Sequence, residues 1–318
     1  MKRPLISPGA AALSLAFAAA LTILMGLIPQ VEEGGVPWLS RMTCFWPFIL
    51  VWAWVAALSL MAAVKRLLRW KLKEIPFVLN HLGVAVTIVA VTLSNAGMQR
   101  LHSADQGLEM LVDPWRAWVT VGICIMMAGA LCQILFMAPR PSGRRSFLWT
   151  AVCAALLCVA FLGITLSATG PLFDNPNPEL RSPWFAPHVI VYMIAYALLA
   201  AATVTAVYML VRNGGAKALS LTDSLVFTGL AFLTVGMLLG AFWAREAWGS
   251  YWAWDPKETW AAATWLCYLL YVHLRKARPG DWKAACCILL AGFVCLQICW
   301  WGVNYLPSAK GHSVHTYN

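Results

Sequence analysis

The stretch Trp248-Gly-Ser-Tyr-Trp-Ala-Trp-Asp-Pro-Lys-Glu-Thr-Trp260 decides how the rest of the chain is interpreted. It holds four Trp residues and one Tyr within 13 positions, together with Asp255, Lys257 and Glu258. Aromatic rings offer flat apolar faces and leave N–H and O–H groups for polar partners. A cluster this dense predicts a platform for a large, flat, mostly apolar ligand. The alternative is an ordinary aromatic belt at a membrane interface, in which Trp residues are usually more scattered.

The composition around this stretch is that of a membrane protein. Hydrophobic residues make up 61% of the 318 positions and charged residues only 11%, whereas soluble domains carry about 25% charged residues. A membrane-spanning helix needs about 20 apolar residues. Nine segments qualify: the first ends near Ile28, and the others cover approximately 44–64, 75–97, 116–138, 147–167, 188–211, 222–243, 256–275 and 283–303. The sequence therefore predicts an all-α polytopic membrane protein with about nine transmembrane helices.

The basic residues predict its orientation, because Lys and Arg are enriched in cytoplasmic loops. With the N-terminus in the cytoplasm, 16 of the 23 Lys and Arg residues fall on the cytoplasmic side. The C-terminus is then periplasmic, and the Trp-rich stretch also faces outward. The first apolar run is long for a signal peptide, so we expect a retained helix. The net charge of +10 belongs to short loops and predicts no nucleic-acid partner.

Other classes of site are not indicated. The ten cysteines contain no CxxC or CxxCH motif and fall in or beside apolar segments, where a thiol acts as a small hydrophobic group. A disulfide framework, a zinc site and covalently attached c-type haem are therefore not predicted. No loop is long enough for a sizeable soluble domain, so we expect one membrane domain, with a possible break near 139–146.

Histidines supply the candidate metal ligands, because an intramembrane ionisable residue is a functional candidate by default. His81 lies about six residues into the third predicted span, and His273 lies near the inner end of the eighth. His188 opens the sixth span at its outer end, and the outward tail contains His312 and His315. Imidazole on both axial sides is a common way to hold haem iron. The histidines thus form an inner candidate pair and an outer candidate pair; the alternative is an interfacial histidine bonded to a backbone carbonyl.

The helix after the Trp-rich stretch has a recognisable start. Asp255 suits the N-cap, Pro256 suits the first turn, and Glu258 stands at the capping-box position. Asp255 therefore has two candidate roles, as helix cap and as part of the binding platform. Arg245 and Lys257 lie beside the platform, where cationic side chains are suited to the carboxylates of haem.

The stretch resembles the WWD signature of the haem-handling proteins of cytochrome c maturation. Its ending, Pro256-Lys-Glu-Thr-Trp260, resembles the CcsA (ResC) branch more than the CcmC and CcmF branches. Three further segments resemble the same branch: Pro187-His188-Val189, Val272-His273-Leu-Arg275, and Trp301-Gly-Val-Asn-Tyr305 followed by His315-Thr-Tyr317. The resemblance covers about residues 180–318.

The N-terminal part resembles a partner family, CcsB (ResB). Ile28-Pro29-Gln30 and Phe77-Val-Leu-Asn-His-Leu-Gly83 are similar to its membrane segments, which favours His81 as the partner of His273. We therefore expect a CcsB-like part over 1–140 and a CcsA-like haem-handling domain over 141–318. The large outward domain usual for CcsB is absent.

The resemblance implies that haem b enters between His81 and His273 and moves to an outward site. There His188 and His315, the latter chosen over His312 because a Tyr follows it, would hold the iron. The implied floor of this site comprises Trp248, Tyr251, Trp252 and Trp254. Thioether bonds would then form with the CxxCH thiols of apocytochrome c, which is the activity of a holocytochrome c synthase, or haem lyase.

The resemblance also implies a setting and leaves rivals. The setting is the bacterial inner membrane, with the functional face toward the periplasm. The implied partners are apocytochrome c, a CcsB-like subunit and thiol-reducing proteins. The alternatives are a CcmC-like haem presenter that makes no thioether, a transmembrane electron carrier with b-type haem, and a transporter that uses its histidines as proton relays. The transporter leaves the Trp cluster unexplained.

Overall fold

The computed structural model describes residues 7–28, 45–68, 71, 74–104, 115–133 and 178–309, without the side chains of 95–104 and 116. These residues form helices and no β-strand, which confirms the predicted all-α class for the described chain. Two short 3₁₀ helices cover Pro178–Arg181 and Gly302–Tyr305. The α-helices are α1 Pro8–Leu27, α2 Trp46–Leu67, α3 Ile75–Ala104, α4 Trp115–Cys132, α5 Phe185–Arg212, α6 Ala216–Trp248, α7 Pro256–Ala277 and α8 Trp282–Trp300.

Six helices in the described ranges are long and apolar enough to cross a membrane, namely α1, α2, α3, α5, α6 and α8. The protein is therefore a multi-pass membrane protein. The apolar part of α4, Ala117–Cys132, is shorter, and α7 carries charged residues in both its first and its last turn. The predicted span 147–167 lies outside the described residues, so the number nine and the orientation stay predictions.

The turn between α5 and α6 shows how local sequence ends and restarts a helix. Asn213 has a φ of 55° and Gly214 a φ of 109°, and Gly214 N–H donates to the Met209 carbonyl at 2.8 Å. Such a left-handed ending is typical for Gly and Asn. Because α6 begins at Ala216, the two long helices form a tight antiparallel hairpin.

The chain forms two compact units that alternate along the sequence. The first comprises residues 1–129, 252–263 and 297–318, and the second comprises 130–251 and 264–296. The Trp-rich stretch therefore contributes to both units, with Tyr251 in the second and Trp252 in the first.

Small residues bring the helices of the first unit together. A Cβ added at Gly83 of α3 would lie 2.5 Å from the backbone nitrogen of Met126 on α4. At the end of α1, a Cβ on Gly26 would lie 3.2 Å from the Trp260 indole, and the Gly26 carbonyl accepts a buried hydrogen bond from Ser308 at 2.8 Å. Such close backbone approach is typical of packing in membranes, and here it holds α1 against the end of the Trp-rich stretch.

Replacing Gly83 with Ala tests the packing of α3 on α4. Because the new methyl group would collide with backbone rather than with a flexible side chain, we expect a loss of about 1–3 kcal/mol in stability. The measurement is the midpoint of thermal unfolding of the purified protein in detergent. Gly9→Ala is the matched control, since a Cβ there meets nothing within 4 Å. Equal midpoints for the two variants would contradict the packing.

Candidate functional site

The start of α7 confirms the predicted capping box. Asp255 Oδ1 accepts the backbone N–H of Lys257 at 2.9 Å. Glu258 Oε2 accepts in return from the backbone N–H of Asp255 at 3.1 Å and from that of Ala253 at 2.8 Å. These bonds satisfy N–H groups that a helix start leaves without intrahelical partners. Asp255 is therefore a helix cap, and its contact with a ligand stays a prediction.

Trp254 precedes this cap in an uncommon backbone conformation. Its φ is 60°, a left-handed value that costs a bulky residue about 1–3 kcal/mol, and its carbonyl accepts a hydrogen bond from the Thr259 hydroxyl at 3.2 Å. The Trp254 ring packs against Trp252 at 5.6 Å, Trp52 at 5.3 Å and Phe48 at 4.7 Å between ring centroids. The cap thus places the Trp254 indole in an aromatic cluster of the first unit.

Phe48 and Trp52 were not predicted to belong to this cluster. They lie one turn apart on α2, about 200 positions before the Trp-rich stretch. Their i, i+4 spacing places them on one helix face and was the available signal. Because α2 is apolar on every side, that face did not stand out.

Trp248 and Tyr251, the first two aromatic residues of the stretch, belong to the second unit. Trp248 packs edge-on against Trp243, with 4.8 Å between ring centroids. Tyr251 is buried, and the Arg245 guanidinium lies 5.2 Å from the centre of its ring. This cation–π contact brings together two residues that were predicted to bind the ligand.

His188 belongs to α5 of the same unit, and its ring packs against α6. Its Nδ1 lies 2.8 Å from the Gly236 carbonyl oxygen, and its ring stacks on Trp243 with 5.6 Å between centroids and 30° between planes. A carbonyl can only accept a hydrogen bond, so Nδ1 carries the proton. The neutral ring then has its lone pair on Nε2, which is the form a metal ligand requires.

Two glycines on α6 make room for these rings. A Cβ on Gly240 would lie 2.6 Å from Cε1 of His188. A Cβ on Gly236 would lie 3.0 Å from the ring of Tyr192, which packs edge-on against His188 at 4.7 Å. Gly240 and Gly236, four residues apart on α6, therefore face the rings of His188 and Tyr192, four residues apart on α5.

His81 and His273 are oriented by their own helices. The Nδ1 atom of His81 lies 2.9 Å from the Phe77 carbonyl oxygen, and that of His273 lies 2.8 Å from the Leu269 carbonyl oxygen. Both acceptors stand four residues earlier in the helix. By the same reasoning as for His188, both neutral rings carry the lone pair on Nε2.

Aromatic and ionic contacts further fix the ring of His81. It stacks on Phe77, with 3.8 Å between ring centroids and 22° between planes. The Arg66 guanidinium lies 4.9 Å from the centre of the Phe77 ring and pairs with Glu74 at 2.6 Å.

The predicted pairing of His81 with His273, and of His188 with His315, stays a prediction. His81 belongs to the first unit and His273 to the second. His312 and His315 lie outside the described residues, as does the side chain of His102. The backbone N–H of Lys257 donates to Asp255, and its carbonyl accepts from the Cys299 thiol at 3.5 Å.

The chain is similar to proteins of cytochrome c assembly over most of its length. A family model described as "Cytochrome C assembly protein" matches residues 14–309. Among similar proteins is the "Cytochrome c biogenesis protein CcsA" of Chlamydomonas reinhardtii, 37% identical over 175 residues, which are 51% of this chain and 48% of that protein. The CcsA of Prochlorococcus marinus (strain MIT 9312) is 33% identical over 202 residues, or 52% of this chain and 64% of that protein.

A third relative is similar over a longer part of the chain. The CcsA of Synechococcus sp. (strain CC9605) is 31% identical over 294 residues, covering 76% of this chain and 93% of that protein. The chain spans about half to two thirds of the length of the Chlamydomonas and Prochlorococcus relatives. Since the family model extends over most of the chain and the Synechococcus protein is matched over nearly its full length, the chain belongs to the cytochrome C assembly protein family.

Proposed function

We propose that this cytochrome c biogenesis protein moves haem b across the membrane and presents it at an outward site for attachment to apocytochrome c. Haem is the substrate in this proposal, and the protein is a holocytochrome c synthase, or haem lyase. The proposed setting is the bacterial inner membrane, with the outward site facing the periplasm.

The hydrogen bond and the packing of the His188 ring are the observations that support this proposal best. Its Nδ1–H donates to the Gly236 carbonyl, so Nε2 has the lone pair for an axial bond to haem iron. Trp243 stacks on the imidazole, and the ring occupies the space that a Cβ at position 240 would need. The imidazole is thereby held in one orientation before any ligand arrives, which lowers the entropy cost of binding.

The aromatic residues and cations supply the rest of the proposed outer site. As the resemblance of the Trp-rich stretch implies, Trp248, Tyr251, Trp252 and Trp254 would contact the apolar faces of the haem. Arg245 and Lys257 would pair with its carboxylates. His315 would provide the second axial ligand, with His312 as the alternative.

His81 and His273 are the two ligands that the resemblance implies for the entry site. Each ring is bonded through Nδ1 to the carbonyl four residues earlier, so both offer Nε2 in the same tautomer as His188. A pair of neutral imidazoles suits the two axial positions of haem iron. The N-terminal part, 1–140, would supply His81 in the way proposed for a CcsB-like segment, and 141–318 would supply the other three ligands.

The proposed attachment needs no protein nucleophile. The S–H bond of each CxxCH cysteine breaks, its sulfur bonds to the inner carbon of a haem vinyl group, and the hydrogen passes to the terminal carbon. No external oxidant or reductant is consumed, so the protein has to position the reacting atoms and exclude water. The cysteines must be reduced beforehand, which accounts for thiol-reducing proteins among the proposed partners. A CcsB-like subunit is a further proposed partner.

Expression in a bacterium that lacks its own cytochrome c maturation genes separates this function from its rivals. A synthase yields apocytochrome with covalently bound haem, whereas a CcmC-like presenter or an electron carrier binds haem without forming thioethers. The readout is haem that stays on the cytochrome in a denaturing gel. Haem on the purified chain with no holocytochrome, even when a CcsB-like subunit is supplied, would contradict the synthase.

Replacing His188 with Ala is predicted to remove an axial ligand from the outer haem. The purified variant should lose the part of the low-spin absorption that belongs to the outer haem, and added imidazole should restore that part by occupying the space left by the ring. His102→Ala is the matched control, because His102 was not predicted to bind haem. If a variant carrying both His188→Ala and His315→Ala still makes holocytochrome c, the outer site is not the place of attachment.

Gly240→Ala is predicted to displace the His188 ring without removing it. The new methyl carbon would lie 2.6 Å from Cε1 and 2.8 Å from Nδ1 of His188, so we expect about tenfold weaker haem retention. The measurement is the haem-to-protein ratio after purification.

The control is Gly229→Ala on the same helix, where the added Cβ would lie 2.8 Å from Cδ2 of Leu199. It crowds the same pair of helices away from the histidine. Equal haem loss in both variants would show that general loosening of α5 and α6, rather than the position of His188, sets retention.

A further inference from the structure

An ion pair joins α6 to the last turns of α7, close to His273. The Nε atom of Arg275 donates to Asp223 Oδ1 at 2.9 Å, and its Nη2 donates to Oδ2 at 2.9 Å. The Tyr271 hydroxyl donates to Oδ1 at 2.8 Å. One carboxylate on α6 therefore holds two side chains of α7, and the haem mechanism above assigns no role to any of the three.

The geometry of this group restricts motion. A bidentate Arg–carboxylate pair fixes direction as well as distance. The side chains of Arg275 and Asp223 are only 16% and 33% exposed, and Tyr271 is buried, so water screens the pair less than on an open surface. The remaining guanidinium nitrogen, Nη1, donates to the Pro279 carbonyl, which also ties the chain beyond the helix end to Arg275.

His273 stands midway between the two anchored residues. Tyr271 and Arg275 are four residues apart and share one face of α7, the face that meets Asp223. A residue two positions away is rotated by about 200° and projects from the opposite face. Fixing one face of the helix thus fixes the direction of the His273 ring.

The rotation of α7 must be set precisely, because an axial bond to iron tolerates little displacement of the His273 nitrogen. A rotation of about 20° moves an atom about 6 Å from a helix axis by about 2 Å. That shift is as long as a metal–nitrogen bond. The hydrogen bond from His273 to Leu269 lies within one helix and turns with it, so it cannot prevent such a rotation.

We propose that Asp223, Arg275 and Tyr271 are positioning residues that set the rotation of α7 and so aim Nε2 of His273 at haem iron. This inference rests on the proposed function, in which His273 is an inner axial ligand. The first unit contains a similar arrangement around the other inner histidine, where Arg66 pairs with Glu74 and covers the Phe77 ring on which His81 stacks.

The test uses the full chain carrying His188→Ala, so that the inner site keeps its proposed ligands while the outer site lacks one. Asp223→Asn is added, and the absorption spectrum of the purified protein is recorded. We expect the low-spin bands to give way to high-spin bands and haem to dissociate about tenfold faster. Exchanging the charges, with Asp223→Arg and Arg275→Asp together, should recover part of the low-spin signal.

Thr234→Val is the matched control. It removes a different polar link between α6 and α7, the hydrogen bond from Trp265 Nε1 to the Thr234 hydroxyl at 3.0 Å, two turns further from His273. We expect this variant to lose stability and keep the low-spin spectrum. A spectrum altered as much as in Asp223→Asn would assign the effect to general loosening and overturn the proposal.

Failure of this inference differs from failure of the proposed function. If His273→Ala leaves the spectrum unchanged, His273 is not a haem ligand and the proposed inner site is wrong. If His273→Ala abolishes the low-spin bands and Asp223→Asn does not alter them, the positioning role is wrong. Should Asp223→Asn not accumulate, Tyr271→Phe, which removes one hydrogen bond and keeps the ion pair, is expected to weaken the low-spin bands, and an unchanged spectrum overturns the proposal.

Discussion

An imidazole ring inside a membrane protein must direct its N–H to an acceptor, because an unmet donor in hydrocarbon costs several kcal/mol. The three histidines with described side chains all meet this requirement through Nδ1 and a backbone carbonyl. That choice leaves the lone pair on Nε2 in each case. The hydrogen bond that satisfies the Nδ1–H group inside the membrane therefore also selects the tautomer that can bind iron through Nε2.

The three rings differ in where the acceptor lies. His81 and His273 use a carbonyl of their own helix, so their orientation relative to that helix requires only that the helix forms. His188 uses Gly236, 48 residues away on the neighbouring helix, so its orientation requires α5 and α6 to pack closely. Gly236 and Gly240 allow that approach. Crowding on α6 therefore acts on His188 directly and on the other two only through longer paths.

How much the sequence predicted follows from the range of each interaction. The cap formed by Asp255 and Glu258 was predictable because its bonds span only two to five residues. The six long apolar helices were predictable because a continuous apolar run of about 20 residues marks each of them. The contact of His188 with Gly236 and the packing of Phe48 on Trp254 join distant segments, and helices that are apolar all round give no periodic signal for such pairs. Asp223 was likewise overlooked, since one carboxylate near the start of a span indicates no partner until the fold brings Arg275 to it.

The same distinction explains why α7 carries an ion pair while α5 does not need one near His188. A ring bonded to the neighbouring helix is aligned by that bond, whereas a ring bonded within its own helix follows every rotation of it. His273 is of the second kind, and the carboxylate of Asp223 supplies from α6 the external reference that its own hydrogen bond lacks. His81 is also of the second kind, and Arg66 of α2 supplies the corresponding reference through the Phe77 ring. Alignment from a second helix is thus present for each of the three histidines with described side chains, by direct bonding at His188 and through a neighbouring charge at His81 and His273.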